Sequence, residues 1–225
     1  MNEVVPGVCA GVVSTLICNP LDVMRLNAQL KTKAKLSPFS GLGMGLLTIP
    51  SFWCIYFPVY SKLNDYTSTP IAAYSSCCTA SAVTTPLWFL RQKAQIGESH
   101  CFKTTPITKY YSGILSTFLI NLNFMIQIPM YEHIKNKLDT SVQNVFFASS
   151  FSKIISSTIT YPLDTIRAMK RQKPDEKYLT LLKSREILGF YRGLHIYLFR
   201  SIPYHTSVFC TYEYVKSLIN KKENI

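Results

Sequence analysis

Acidic side chains are scarce in this 225-residue sequence: 12 Asp and Glu stand against 24 Lys and Arg, a formal net charge of +12. Charge of either sign is thin, 16% of residues against roughly a quarter in soluble chains. With so few acids and no Cys/His cluster at metal-ligand spacing, no enzyme, catalytic residue, metal or cofactor is implied. The seven cysteines (Cys9, Cys18, Cys54, Cys77, Cys78, Cys101 and Cys210) are odd in number, form no C-x-x-C pair and sit in apolar context, so buried thiols are expected. A phosphate-cradling glycine loop is lacking. Gly41-Leu42-Gly43-Met44-Gly45 opens an apolar stretch and reads as close helix packing. The opening Met-Asn-Glu-Val-Val-Pro-Gly has no basic or Arg-rich leader, so no cleaved targeting peptide is expected. No heptad persists, which excludes a coiled coil. The 48% hydrophobic content, with 14 Tyr and 13 Phe, excludes disorder.

What is present is long charge-free runs. Residues 36–61, 66–90 and 110–131 carry no charge, nor do residues 4–21. Each approaches the roughly 20 helical residues that cross a hydrocarbon core. The runs are rich in Ser, Thr, Asn, Gln and Pro, and mean hydropathy is only +0.13. Such helices suit an all-α membrane protein with a polar interior and a lipid-facing exterior. Helices are expected near 4–30, 43–63, 70–96, 114–136, 142–170 and 195–217.

Three ordered elements recur. Pro20-Leu21-Asp22-Val23-Met24-Arg25 returns as Pro86-Leu87-Trp88-Phe89-Leu90-Arg91 and as Pro162-Leu163-Asp164-Thr165-Ile166-Arg167. Gln29 and Gln95 share one offset from their prolines, where the third copy has Arg171. Phe39-Ser40-Gly41, Tyr111-Ser112-Gly113 and Tyr191-Arg192-Gly193 follow. Tyr131-Glu132-His133-Ile134-Lys135 and Tyr212-Glu213-Tyr214-Val215-Lys216 close the last two units, and Tyr60-Ser61 with Asn64 closes the first in worn form. The repeats divide one domain, 1–225, at about 1–66, 67–138 and 139–225. Acid and base three residues apart share a helix face. Three such faces on a common axis would make a breakable ring of charge pairs, which can serve as a gate. The spans from Arg25 to Lys35, Arg91 to Lys109 and Arg167 to Arg192 are all net basic, while Lys62 to Asp65 and Glu132 to Asp139 are neutral. Basic loops stay on the side from which the chain inserts. Charge that tracks loop sidedness argues against a nucleic-acid partner.

With these motifs the sequence resembles the mitochondrial carrier family over essentially its whole length. The resemblance implies six transmembrane helices in three pseudo-symmetric repeats around a central cavity, in the mitochondrial inner membrane or that of a reduced mitochondrion-related organelle. It implies alternating access between two gates. The matrix gate would pair Asp22 with Arg91 and Asp164 with Arg25, and Gln29 and Gln95 would brace it. Trp88 replaces the acid that Arg167 should meet. The outer gate would keep only Glu132 with Lys216, because Lys135 lacks its acid and Glu213 faces Asn64. Gly41, Gly113, Arg192 and Gly193 match the family's cardiolipin sites, with the physics of an anion at a helix N-terminus. The chain is short for the family, and the loss falls in loops: 21 residues separate Pro20 from Gly41, against 27 and 31 in the later units. The first matrix-side helix is therefore expected to be reduced. One chain holds the full threefold set, so a monomer suffices.

A basic cavity favours an anion. Trp88, the run Ser51 to Phe57, Ile126 to Glu132, Ser152-Lys153 and Thr160-Tyr161-Pro162 resemble the branch that carries pyrimidine nucleotides, NAD, FAD or folate-type compounds. A nucleotide-like anion, pyrimidine or NAD-like, is the first expectation. FAD/folate-type solutes, purine nucleotides and a proton or anion leak stay open. Arg200 has no other formal charge between Leu194 and Tyr212, so it would face water, a phosphate or a helix carbonyl. Lys153 would meet a phosphate or neutralise Asp164. Thr48 and Asn121 fall near the depth of Arg200, and Asn121 could bond a base or ribose. Trp53 could stack on a planar ring or pack between helices. His205 and Asn123 are further candidates.

Overall fold

The charge-free stretches fold as long helices. The computed structural model describes residues 4–31, 37–98, 106–135 and 142–223. Its helices are α1 (Val4–Leu30), α2 (Leu42–Asn64), α3 (Thr69–Gln95), α4 (Ile107–Tyr110), α5 (Ile114–Asn121), α6 (Asn123–Lys135), α7 (Val142–Gln172), α8 (Tyr178–Lys183) and α9 (Leu194–Glu223), with a 3-10 turn at Ile187–Tyr191. Pro20, Pro86 and Pro162 lie inside the unbroken α1, α3 and α7. The expected 114–136 helix is interrupted at Leu122. On either side of it the Asn121 amide donates to Ser81 on α3 at 3.2 Å and the Asn123 amide to Thr160 on α7 at 3.0 Å. Two asparagines reaching different neighbours accompany a tightened turn in which Leu122 N–H donates to Leu119 C=O.

The long helices close a ring. α1 packs on α2, α2 on α3, and α3 on α5 and α6; these pack on α7, and α9 seals the circle mainly against α1. Before α2, α5 and α9 stand Gly41, Gly113 and Gly193, with φ of 70°, 84° and 83°. This left-handed turn suits only glycine without strain. At Gly41 a Cβ would also lie 2.7 Å from Gln95 Cγ and 3.0 Å from the Arg91 carbonyl on α3. Equivalent positions put Gly113 against Arg167 and Arg171 on α7, and Gly193 against Arg25 and Ala28 on α1. α4 precedes the second of these turns. α8 and the 3-10 segment precede the third, where Arg185 donates to the Gln29 carbonyl at 2.5 Å. Burial, then neighbouring Arg192, lowers the Arg185 pKa from the ordinary arginine value. The corresponding stretch after α1 includes residues 32–36, so the expected loss of its helix lies partly outside the described residues.

The packing is inverted relative to a water-soluble bundle. Ser14, Thr15, Asn19, Ser76, Thr84 and Ser156 are among the most deeply buried side chains. Outward stand Ile17 on α1, Leu47 on α2, Val83 on α3, Leu115 on α5, Ile159 on α7 and Phe199 and Ile202 on α9, each more than half exposed. Buried hydroxyls satisfy themselves on their own helix: Thr15 donates to Gly11 C=O, Ser76 to Ala72, Thr84 to Ala80 and Thr85 to Ser81. Small inner residues let backbones approach, the packing that holds helices together when lipid removes the hydrophobic drive. The solvent of this surface is therefore hydrocarbon.

By length and apolarity, two segments among the described residues qualify as membrane spans, Leu42–Asn64 and Ile107–Ile134, rather than the six expected. Little of either is buried within the protein. The other long helices fall short because polar inner faces dilute them: Asp22 and Arg25 on α1, the Ser/Thr face of α3, Asp164 and Arg167 on α7, Arg200 on α9.

Candidate functional site

The inner faces of α1, α3, α7 and α9, with walls from α2 and α6, enclose a cavity of about 520 Å³. Six cations line it, Arg25, Arg91, Lys153, Arg167, Arg171 and Arg200, against two carboxylates, Asp22 and Asp164. Each acid gathers two guanidiniums. Asp22 Oδ2 accepts from Arg91 at 3.0 Å and from Arg200 Nη2 at 3.3 Å. Arg200 Nε also lies 2.5 Å from Asp22 Oδ1, an ion-pair contact without hydrogen-bond alignment. Asp164 pairs with Arg25 across the ring and with Arg167 one turn along α7. Gln29 donates to Asp164 Oδ2 at 2.8 Å.

These contacts place the residues named from sequence. Asp22 with Arg91 and Asp164 with Arg25 are the two pairs that the resemblance implies. Trp88 leaves Arg167 without an acid on α3, and Arg167 turns to Asp164 instead; Arg91 lies over the Trp88 ring at 5.3 Å. Gln95 lines the cavity, but its Nε2 has no acceptor among the described residues. Arg200 meets Asp22 rather than a helix carbonyl. Lys153 makes no ion pair with Asp164; its Nζ reaches Asn123 Oδ1 at 3.4 Å and Gln127 Oε1 at 3.3 Å. Trp53 lines the cavity edge-on to Phe52 and Tyr56 and stacked on Phe57.

Two candidates stand off the lining of the main cavity. Thr48 is fully buried, and its hydroxyl donates to Met44 C=O on its own helix at 2.6 Å, so it does not face the cavity. Asn121 spends its amide on Ser81 and Cys78 of α3 and borders an adjoining side pocket of about 150 Å³ that shares Arg25, Lys153, Asp164 and Arg167 with the cavity. Helical rotation decides both: equal depth does not give an equal face. Glu132 is exposed, while the side chains of His205, Lys135, Glu213 and Lys216 lie outside the described residues. Gly41, Gly113 and Gly193 head their helices as described above, with Arg192 just before Gly193.

Sequence reasoning passed over Tyr197 and Tyr204. Arg25 lies 4.4 Å from the Tyr197 ring centre and Arg200 5.1 Å from that of Tyr204. The signal was available: 197, 200, 201 and 204 are spaced as one helix face, and all four line the cavity.

A polar, cation-rich chamber inside a lipid-facing helical ring defines a membrane solute carrier. The chain is similar to the mitochondrial carrier family, whose members are transporters and not enzymes. The family's sequence model, described as "Mitochondrial carrier protein", matches residues 138–223. Mitochondrial nicotinamide adenine dinucleotide transporter 2 of Arabidopsis thaliana is 27% identical, covering 92% of this chain and 76% of its own. Solute carrier family 25 member 36 of Mus musculus is 29% identical, over 98% and 86%. Mitochondrial nicotinamide adenine dinucleotide transporter 1 of Saccharomyces cerevisiae is 26% identical, over 97% and 76%. The fold is all-α and of the mitochondrial carrier type, and the protein is a multi-pass protein of the inner membrane.

Proposed function

We propose that this carrier moves a nucleotide-like anion, pyrimidine nucleotide or NAD-like, by alternating access through six membrane helices in three repeats. The observation that carries this reading is the cavity's excess of four cations over its two carboxylates, which suits a multiply charged phosphate ester. Two relatives named as nicotinamide adenine dinucleotide transporters support the solute class. Arg200, with Lys153 on the neighbouring α7, binds phosphate, and Trp53 takes the planar base. Asp22, Arg25, Arg91, Asp164 and Arg167 close the matrix end, braced by Gln29, while Trp88 seals where an acid is missing. Glu132 with Lys216 remains as an outer gate. Cardiolipin phosphates sit at the helix starts marked by Gly41, Gly113 and Arg192-Gly193, and the working unit is a monomer.

An anion arriving at Arg200 competes with Asp22. Drawing Arg200 away leaves Asp22 holding Arg91 alone, so solute binding loosens the gate that must open. Exchange in proteoliposomes, screened across purine, pyrimidine and dinucleotide solutes, tests the reading. Saturable counter-exchange of a nucleotide, abolished by Arg200→Ala, is expected. Nucleotide exchange untouched by Arg200→Ala contradicts the binding site, and non-saturating flux contradicts a carrier.

A further inference from the structure

Arg171 occupies the place held by glutamine in the other two units. Gln29 uses that place to reach Asp164. Arg171 brings a charge there and finds no carboxylate among the described residues. It is 4% exposed, its Nη2 meets Thr117 Oγ1 at a long 3.4 Å, and its Nε has no acceptor. Its neighbour on the same face, Arg167, is committed to Asp164. Among the described residues four further donors on the cavity lining lack acceptors: Arg25 Nε and Arg200 Nε, and, on α3 beside the α7 of Arg171, Arg91 Nε and Gln95 Nε2. The register between their helices is fixed, because Gln92 donates to Ala168 C=O at 2.6 Å and Lys93 to Gln172 C=O at 2.9 Å. The α3 segment carrying Gln95 therefore runs beside the α7 segment carrying Arg171.

We propose that Arg171, buried on the cavity lining without a counter-charge, is a second anion site that takes the terminal phosphoryl group of the solute. The inference rests on the nucleotide reading above and sharpens it: the preferred solutes carry at least two phosphoryl groups, one at Arg200 and one at Arg171. Water could satisfy the idle N–H groups but would leave the buried guanidinium without a counter-charge, which is costly. A phosphoryl group supplies charge and three acceptor oxygens, and a guanidinium fork binds it through paired bonds. The site opens on the interior shared with Arg200, so the phosphate comes from solute rather than from lipid.

Thermal unfolding of the purified full chain tests this, in neutral detergent with and without cardiolipin. Inorganic pyrophosphate, a nucleoside monophosphate and the matching diphosphate are the probes. Pyrophosphate and the diphosphate should raise the wild-type Tm more than the monophosphate does, in both lipid conditions. Arg171→Gln, which installs the residue of the other two units, should remove that advantage, and Arg171→Lys should restore part of it. In proteoliposomes the diphosphate-to-monophosphate uptake ratio should fall about tenfold in Arg171→Gln, as for the loss of one charge-assisted contact. Equal diphosphate advantage in wild type and Arg171→Gln overturns the site while leaving the nucleotide reading standing. Protection that vanishes without cardiolipin also overturns it, assigning the phosphate to lipid. If no nucleotide protects the wild type, the nucleotide reading fails and this site fails with it. Should Arg171→Gln not fold, the wild-type preference for diphosphate over monophosphate decides alone, and its absence rejects the site.

Discussion

Asp22 and Asp164 each hold two arginines, so each acid removed strands two buried cations. Asp164→Asn is expected to cost about 3 kcal/mol, the usual penalty for breaking a buried pair from one side, read as a lower Tm of the detergent-purified protein. Asp164→Glu should recover part of it; an unchanged Tm for Asp164→Asn would show that Arg25 and Arg167 have other partners. The acid-base spacing on α1 and α7 made these residues legible in sequence, and the missing acid at Trp88 was equally plain. Where Arg167 and Arg200 would turn was not. A displaced guanidinium takes the nearest carboxylate in space, and only the closed ring sets Asp22 beside α9. Thr48 and Asn121 show the same limit: depth along a helix can be counted from a motif, but the facing side depends on packing.

At the level of elements, the turn glycines differ in a way that can be measured. Ala at position 41 meets both left-handed strain and hard overlap with Gln95 and the Arg91 carbonyl, whereas at 113 the nearest atoms stand 3.5 Å away. Gly113→Ala should cost about 1 kcal/mol, the strain alone, and Gly41→Ala distinctly more, compared as Tm values of the two variants. Equal losses would mean that the α2–α3 contact yields readily. Although α9 runs six residues past the expected 217, most ends of the long helices were legible to within two residues because charge begins where the polar loops begin. The short α4 and α8 were not, since six residues or fewer carry too little periodicity to stand out. Nor was the interruption at Leu122, which reflects two asparagines answering to different neighbouring helices.

For the whole molecule, what counts is a surface and an interior that have exchanged roles. Hydropathy alone recognises two spans, because every helix that lines the path must be polar on one side. The expectation of six helices in three units rests on the repeat rather than on hydropathy. With only Glu132 and Lys216 assigned to the outer gate, reconstituted protein should show measurable uniport beside exchange; strict one-for-one exchange would argue for outer contacts beyond that pair. The central claim, a wet interior path walled from lipid, meets its most direct test in adjacent positions on α9. Ser201 lines the cavity and Ile202 points outward. In a variant whose seven native cysteines are replaced, Ser201→Cys in proteoliposomes should react with a membrane-impermeant thiol reagent and be protected by nucleotide, while Ile202→Cys stays unlabelled. Equal labelling of the two positions, or Ile202→Cys reacting alone, would contradict the account.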